Sequence, residues 1–171
     1  MPRLAPVMKT EMCIRDRGEG GKRLGCLDGT MAVWAKTFAI NFFAPVFFCR
    51  ACAPLLARTK GSIVNITSIA GSRVHPFAGS AYSTSKSALT GLTRELAADL
   101  AHLGIRVNAV CPGEINTAIL SPGTEAMVER IPMKRLGSPD EVAAAIYYLC
   151  SDQASYITGA EIPVNGGQDV Y

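Results

Sequence analysis

The chain has 171 residues, of which 49% are hydrophobic and 18% charged, so it can build one globular domain with a core and is not a disordered chain. Its net charge of +3 arises entirely in residues 1–25, and the remainder is neutral, which argues against nucleic-acid binding. Asn41 and Pro45 interrupt the longest apolar run, and the N-terminus has no apolar signal-peptide core, so we expect a soluble, cytoplasmic protein without membrane contact.

Helical patterns and short apolar strands alternate along the chain. In chain order we predict a helix over 30–55 that breaks at Pro45, a strand over 61–68, a helix that begins near Tyr82 and ends before Gly104, a strand over 105–110, a short helix near 125–130, a helix that begins at Ser138 and a strand over 161–164. This alternation predicts an α/β fold whose parallel sheet is covered by helices on both faces.

The helix near Tyr82 begins with a phenol and an ammonium group one turn apart. Tyr82 and Lys86 are four residues apart, so they share one helix face. A nearby cation stabilises phenolate, which lowers the pKa of a tyrosine and suits it to general acid–base catalysis. Taken alone, the pair is more simply explained as a surface contact, because Y-x-x-x-K is a loose pattern. An apolar stripe with helical period follows: Leu89, Leu92, Leu96, Leu100 and Leu103.

The six cysteines have no paired spacing typical of a zinc site, and we predict no metal. Cys49 and Cys52 form one C-x-x-C inside an apolar helical stretch. There, buried thiols that act as small hydrophobic groups are commoner than redox or metal sites. His75 and His102 are expected to be loop or surface histidines rather than catalysts.

Six separated segments resemble the C-terminal part of the short-chain dehydrogenase/reductase family, in the order in which that family has them. They are "INFFAP", "GSIVNITSIAG", "AYSTSKSAL", "GIRVNAVCPGEINT", "RLGSPDEVAAAIYYLCSD" and "YITGAEIPVNGG". The resemblance covers about residues 30–167 and implies a Rossmann-like doubly wound parallel sheet. The last two segments look most like those of 3-oxoacyl-carrier-protein reductases and sugar dehydrogenases.

The resemblance implies roles for the residues at matching positions. Tyr82 would be the acid/base that exchanges a proton with the substrate oxygen, Lys86 would hold ribose hydroxyls and tune Tyr82, and Ser68 would hydrogen-bond the substrate oxygen. Asn41 would complete the catalytic tetrad, with a backbone carbonyl that is freed because Pro45 has no N–H to donate. NAD or NADP would be the cofactor, bound at its nicotinamide end by Tyr82, Lys86, Pro112, Gly113, Ile115 and Thr117.

One part of the family pattern is absent from the sequence. The Gly-rich turn T-G-x-x-x-G-x-G, which binds the cofactor pyrophosphate at a helix N-terminus, has no counterpart, and residues 17–20 read "RGEG" where N-N-A-G is expected. We therefore expect residues 1–26 to be a leader foreign to the family, disordered or artefactual, in which residues 12–17 resemble translated sequencing-adapter DNA. Residues 27–171 would be the C-terminal part of the domain, with its N-terminal half missing.

Two functions from different classes follow. The first is an NAD(P)-dependent oxidoreductase that interconverts an alcohol and a carbonyl of a small molecule by hydride transfer, with residues 116–136 lining its substrate pocket. The second is a truncated, catalytically inert homologue that only self-associates. In both, homo-oligomers would form through the helices that carry Asn41 and Tyr82. The sequence selects neither the substrate nor NAD over NADP.

Overall fold

The computed structural model describes residues 22–117 and 123–170, and the sheet within them consists of three parallel strands. In spatial order these are β1 (Ser62–Ile66), β2 (Arg106–Pro112) and β3 (Glu161–Val164). The three strands predicted from the sequence, and their parallel arrangement, are confirmed.

Helices cover both faces of this sheet, as predicted. Within the described ranges the α-helices are α1 (Met31–Phe38), α2 (Ala44–Thr59), α3 (Ser80–Leu100), α4 (Glu125–Val128) and α5 (Pro139–Cys150). Helices α2 and α3 pack on one face around Val107, and α5 packs on the other around Val110. These two valines are three residues apart on β2, so their side chains point to opposite faces of the sheet.

Pro45 does not break the first helix, contrary to the prediction. A single π-helical turn, Ala39–Phe43, joins α1 to α2, so the helical run continues from Met31 to Thr59. Proline has no N–H to donate, and the helix widens by one residue just ahead of it. The Ala44 N–H accordingly donates to the carbonyl of Ala39, five residues back.

The joined helical run Met31–Thr59 is 29 residues long, and its most apolar 18-residue window has a mean hydropathy of 1.6 and is 17% buried. By length and composition alone it is long enough to cross a membrane. A helical run of this length was not predicted, because Asn41 and Pro45 interrupt the longest apolar run of the sequence. A single helix of this kind is weak evidence for a membrane span, since core helices of soluble proteins and signal sequences can have the same length and composition.

The buried face of α3 differs from the predicted leucine stripe. Its buried residues are Ala81, Tyr82, Ser85, Lys86, Leu89, Thr93 and Ala97. Leu92, Leu96 and Leu100 are only half-buried, and Leu103 is 39% exposed. Small and hydroxylated side chains therefore make up most of this buried face, which also carries Tyr82 and Lys86.

Residues 1–21 lie outside the described residues, so the predicted leader is described only over residues 22–26. In this stretch the Ser80 N–H donates to the Leu24 carbonyl at 2.9 Å, and Arg23 Nε donates to the Ala78 carbonyl at 2.9 Å. Its end therefore packs against the start of α3. The domain boundary at residue 27 and the foreign origin of the leader stay predictions.

Candidate active site

The carboxyl ends of the three parallel strands lie at one edge of the sheet. Ser68 lies two residues beyond β1, and Gly113 directly follows β2. The Thr67 N–H donates to the Val110 carbonyl at 2.9 Å, which extends the ladder past β1 and holds Ser68 at this edge. In open α/β sheets, ligands bind outside the carboxyl ends of the strands.

A small pocket at this edge brings Ser68 and Tyr82 together. It is lined by Ser68, Ile69, Ala70, His75, Ala78, Tyr82, Gly113 and Glu114. Tyr82 is 3% exposed and packs with Ala70 and Ala78. Ser68 Oγ accepts a hydrogen bond from the Ala70 N–H at 3.2 Å, which fixes the hydroxyl at the start of a 3₁₀ turn. Two predicted site residues from separate elements therefore share one pocket.

Lys86 lies one turn along α3 from Tyr82 and is 3% exposed. Its Nζ is 5.8 Å from the centre of the Tyr82 ring and donates to the Ile66 carbonyl at 2.7 Å. The ammonium group is thus held between the end of β1 and the phenol ring. This hydrogen bond compensates part of the cost of burying the charge.

Asn41 lies in the π-helical turn and is 1% exposed. Its Nδ2 donates to Ser85 Oγ at 3.1 Å, and Ser85 Oγ in turn donates to the Tyr82 carbonyl at 2.7 Å. Asn41 therefore contacts the turn of α3 that carries Tyr82 and Lys86. Sequence reasoning missed Ser85, although its position between these two residues places it on the same helix face.

The turn after β2 is packed against the C-terminal segment. The Gly113 N–H donates to the Val164 carbonyl at 3.1 Å, and a Cβ on Gly113 would lie 2.9 Å from the backbone Cα of Asn165. Only glycine fits there. Pro112, the last residue of β2, directly precedes this close approach.

Ile115 and Thr117 do not line the pocket that holds Ser68 and Tyr82. Ile115 pairs with Gly137 in a short parallel bridge, and Thr117 is exposed. Their contacts with a cofactor, like those of the other predicted site residues, stay predictions. Part of the predicted substrate segment, residues 118–122, lies outside the described residues.

A buried histidine–glutamate pair that sequence reasoning missed lines the same pocket. His75 and Glu114 are each 4% exposed, with Nε2 of His75 2.5 Å from Oε1 of Glu114. His75 lies in a loop, as expected, but it is not a surface residue. The available signal was the position of Glu114, directly after the Pro-Gly turn at a strand end.

A larger cavity of about 310 Å³ contains none of the predicted site residues. Its lining residues are Ser72, Arg73, Cys111, Glu161, Pro163 and Asp169. Although two of them are acidic, residues 22–117 and 123–170 contain no group of three His, Cys, Asp or Glu side chains that could hold a metal ion.

The buried cysteines are expected to be chemically inert. Burial raises the pKa of Cys49 to about 11 and that of Cys111 to about 12, whereas Cys26 is exposed. At pH 8 at most about 0.1% of either buried thiol is thiolate, so we expect iodoacetamide to alkylate Cys26 and to spare both in the folded chain. Peptide mass spectrometry before and after unfolding checks this. Equal labelling rates would contradict the burial of Cys49 and Cys111.

A protein-family model described as Enoyl-(Acyl carrier protein) reductase matches residues 17–169. Protein FixR of Bradyrhizobium diazoefficiens is 58% identical over 149 residues, which are 86% of this chain and 54% of that protein. The chain thus spans about half the length of the curated relatives it matches.

Solved structures of related oxidoreductases also match most of this chain. An oxidoreductase of the short-chain dehydrogenase/reductase family from Brucella ovis, in complex with a partially ordered NAD, is 50% identical with a TM-score of 0.75. The similarity covers 90% of this chain and 61% of that one. A 3-oxoacyl-[acyl-carrier protein] reductase from Brucella melitensis is 34% identical with a TM-score of 0.85, covering 91% of this chain and 59% of its own.

Proposed function

The chain belongs to the short-chain dehydrogenase/reductase family, and on that premise we propose that it carries the catalytic part of an NAD(P)-dependent oxidoreductase. The reaction interconverts an alcohol and a carbonyl group of a small molecule. One observation carries the proposal: Ser68, beyond β1, and Tyr82, on α3, line the same pocket, and Lys86 lies one turn beyond Tyr82.

The donor groups of the site fit the nicotinamide-ribose half of NAD or NADP; the Brucella ovis relative is in complex with NAD. Lys86 offers N–H donors to hydroxyl oxygens, and the backbone at Pro112 and Gly113 lies at the edge where such sheets bind ligands. The first strand of the described residues is β1, and no strand–glycine turn–helix unit precedes it there. We therefore propose no described residue as a ligand of the cofactor pyrophosphate.

The residues of the site supply the steps that the cofactor does not. When bound, the nicotinamide accepts or delivers the hydride. Tyr82 gives or takes the proton at the substrate oxygen, and Ser68 holds that oxygen by a hydrogen bond. The charge of Lys86 favours the phenolate form of Tyr82. Asn41 acts through Ser85 to orient the first turns of α3.

Cofactor binding tests the proposal. We would compare the 171-residue chain with a chimera in which the N-terminal part of the Brucella ovis oxidoreductase is joined ahead of residue 27. We expect the chimera to bind NAD or NADP with a Kd in the micromolar-to-millimolar range typical of enzyme ligands, measured by calorimetry. A chimera that folds, as judged by circular dichroism, and binds neither cofactor would contradict the proposal.

An exposed aromatic face supports self-association as a second proposal. Phe43, Phe47 and Phe48 are 49%, 68% and 41% exposed at the junction of the π-helical turn with α2. Exposed clusters of large apolar side chains mark interaction sites. We propose a second copy of the chain as the partner, so that the helices carrying Asn41 and Tyr82 form a homo-oligomer. The inert homologue would associate in this way without binding a cofactor.

Phe47→Glu is expected to weaken self-association at least about 100-fold. Burying one phenylalanine contributes about 1.5–3 kcal/mol, and a symmetric dimer buries two. Light scattering across a dilution series measures the change in mass. Val74→Glu is the matched control, because Val74 is 82% exposed on a loop and the charge change is the same. If both variants, or neither, dissociate, this face is not the interface.

A further inference from the structure

The sheet has two edges, and the edge at β3 is protected against the addition of another strand. The carbonyls of Ala160 and Val164 accept hydrogen bonds from the N–H groups of Ala109 and Gly113. Alternate residues of a strand face alternate neighbours, so the backbone groups of Pro163 point away from β2. A proline at that position offers no N–H to a further strand, as is usual at a sheet edge.

The edge at β1 has no such protection. Gly61 and Thr67 are hydrogen-bonded to β2, so by the same alternation the N–H groups of Val64 and Ile66 point away from the sheet. No described residue accepts a hydrogen bond from either of these two N–H groups. The strand reads SIVNI and has neither a charged residue nor a proline. Both of the usual devices that block strand addition are therefore missing from β1.

Apolar side chains continue up to this edge. Ile63 packs with the cluster around Val107 on one face of the sheet, and Val64 packs with the cluster around Val110 on the other. Ile66, the last residue of β1, is 38% exposed. An uncharged apolar edge with free N–H groups is a template for pairing, so we expect β1 to have a neighbour.

The relatives indicate what that neighbour is. FixR and the Brucella ovis oxidoreductase match most of this chain, but the matched residues are only 54% and 61% of their own chains. A doubly wound domain places its parallel strands in one sheet, so the unmatched part of such a relative should contribute strands beside the matched ones. Within the described residues, β1 is the sheet edge that accepts them without obstruction.

We propose that the β1 edge binds the N-terminal half of a short-chain dehydrogenase/reductase domain on a separate polypeptide, which adds a parallel strand alongside Ser62–Ile66. The Ile66 carbonyl already accepts a hydrogen bond from Lys86 Nζ, so the added strand pairs with the Ile66 N–H and with the outward groups of Val64. The partner also supplies the glycine-rich turn for the cofactor pyrophosphate. The inference rests on the family of the chain and not on the proposed reaction.

Mixing the two polypeptides tests the proposal. The full 171-residue chain is titrated with the segment of the Brucella ovis oxidoreductase that precedes its matched region, fused to maltose-binding protein for solubility. Maltose-binding protein alone is the control. We expect a one-to-one complex with a Kd of about 1 µM or lower, measured by calorimetry and light scattering, as is typical of stable interfaces of standard size.

A charge at the edge should weaken this complex. Ile66→Lys is expected to raise the Kd at least about ten-fold, because lysine opposes strand addition and the burial of the isoleucine is lost. Val74→Lys is the matched control, since Val74 is 82% exposed on a loop and the charge change is the same. Its Kd should equal that of the wild-type chain.

Hydrogen exchange of the ¹⁵N-labelled chain locates the contact. The amides of Ile63 and Asn65 are bonded to β2 and should exchange slowly with or without the partner. The amides of Val64 and Ile66 should exchange fast in the free chain and at least about ten-fold more slowly in the complex. This alternation within one strand distinguishes strand addition from docking elsewhere. If Ile66→Lys does not fold, the exchange pattern of the wild-type complex decides.

Absence of a complex, a complex that leaves the exchange of Val64 and Ile66 unchanged, or equal affinity of Ile66→Lys would overturn the proposal. Slowing of these two amides with rising concentration of the chain alone would also overturn it, because a second copy would then occupy the edge. A complex with the expected exchange pattern that binds neither NAD nor NADP counts against the proposed function alone. A chimera that binds the cofactor while the separate polypeptides do not associate overturns the docking alone.

Discussion

Tyr82→Phe is expected to lower kcat of the chimera by about 10²–10⁴-fold, the usual effect of losing a general acid or base. Phenylalanine keeps the ring that packs with Ala70 and Ala78, so the fold and the pocket should remain. The NAD or NADP Kd should change by no more than about three-fold, since a single hydroxyl is lost. Steady-state kinetics with a secondary alcohol and calorimetry with the cofactor measure the two quantities.

Tyr147→Phe is the matched control, because Tyr147 is 54% exposed on α5 and loses the same hydroxyl. Its kcat should equal that of the unmodified chimera. If kcat of the Tyr82→Phe variant stays within a few-fold of that of the unmodified chimera, Tyr82 takes no part in the reaction, whatever the cofactor affinity.

Lys86→Ala is expected to raise the cofactor Kd about 10–100-fold and to lower kcat as well. Hydrogen bonds from charged groups contribute about 1.5–3 kcal/mol, which corresponds to that range of affinity. In the oxidative direction, the rate should also reach its maximum only at higher pH, because the phenolate of Tyr82 loses a neighbouring positive charge and the pKa of Tyr82 rises. Calorimetry and a pH–rate profile test both effects.

Lys36→Ala is the control for charge, because Lys36 is exposed on α1. Lys86→Ala also leaves the Ile66 carbonyl without the ammonium donor 2.7 Å away, so a loss of stability is expected and is measured by denaturant unfolding. A cofactor Kd that stays within two-fold of wild type in folded Lys86→Ala would exclude a contact between Lys86 and the cofactor.

Sequence reasoning predicted well where a local pattern carries the information. Strand positions follow from apolar β-rich runs, and the parallel order follows from their alternation with helices. Parallel strands bring their carboxyl ends to one edge. Ser68 and the turn at Gly113 therefore had to lie near each other, and both line the pocket with Tyr82.

Sequence reasoning failed where the structure depends on how a helix accommodates particular residues. Pro45 removes one N–H, but the sequence does not reveal whether the helix ends, kinks or widens; here it widens into the π-helical turn Ala39–Phe43. On α3, Leu89 of the predicted stripe is buried and Leu96 and Leu100 pack against the core, but most of the buried face consists of small and hydroxylated residues. Two of these, Ser85 and Thr93, accept hydrogen bonds from Asn41 and Asn65.

The position of Glu114 could be read from the sequence, but its contact with His75 could not be predicted, for a different reason. No helical or strand period relates two loop residues 39 positions apart. Their contact follows only from where two loops meet above the sheet. Pairs of this kind depend on tertiary structure.

Deuterium transfer from an alcohol to the cofactor is the most direct test of the proposed oxidoreductase function. The chimera would be incubated with NAD⁺ or NADP⁺ and butane-2,3-diol deuterated at its carbinol carbons, and the reduced cofactor would be examined by mass spectrometry. The account predicts one deuterium in the reduced cofactor from the chimera and none from its Tyr82→Phe variant on the same time scale. A folded chimera that binds the cofactor and transfers no deuterium from this or other secondary alcohols, or transfers it equally without the Tyr82 hydroxyl, would contradict it.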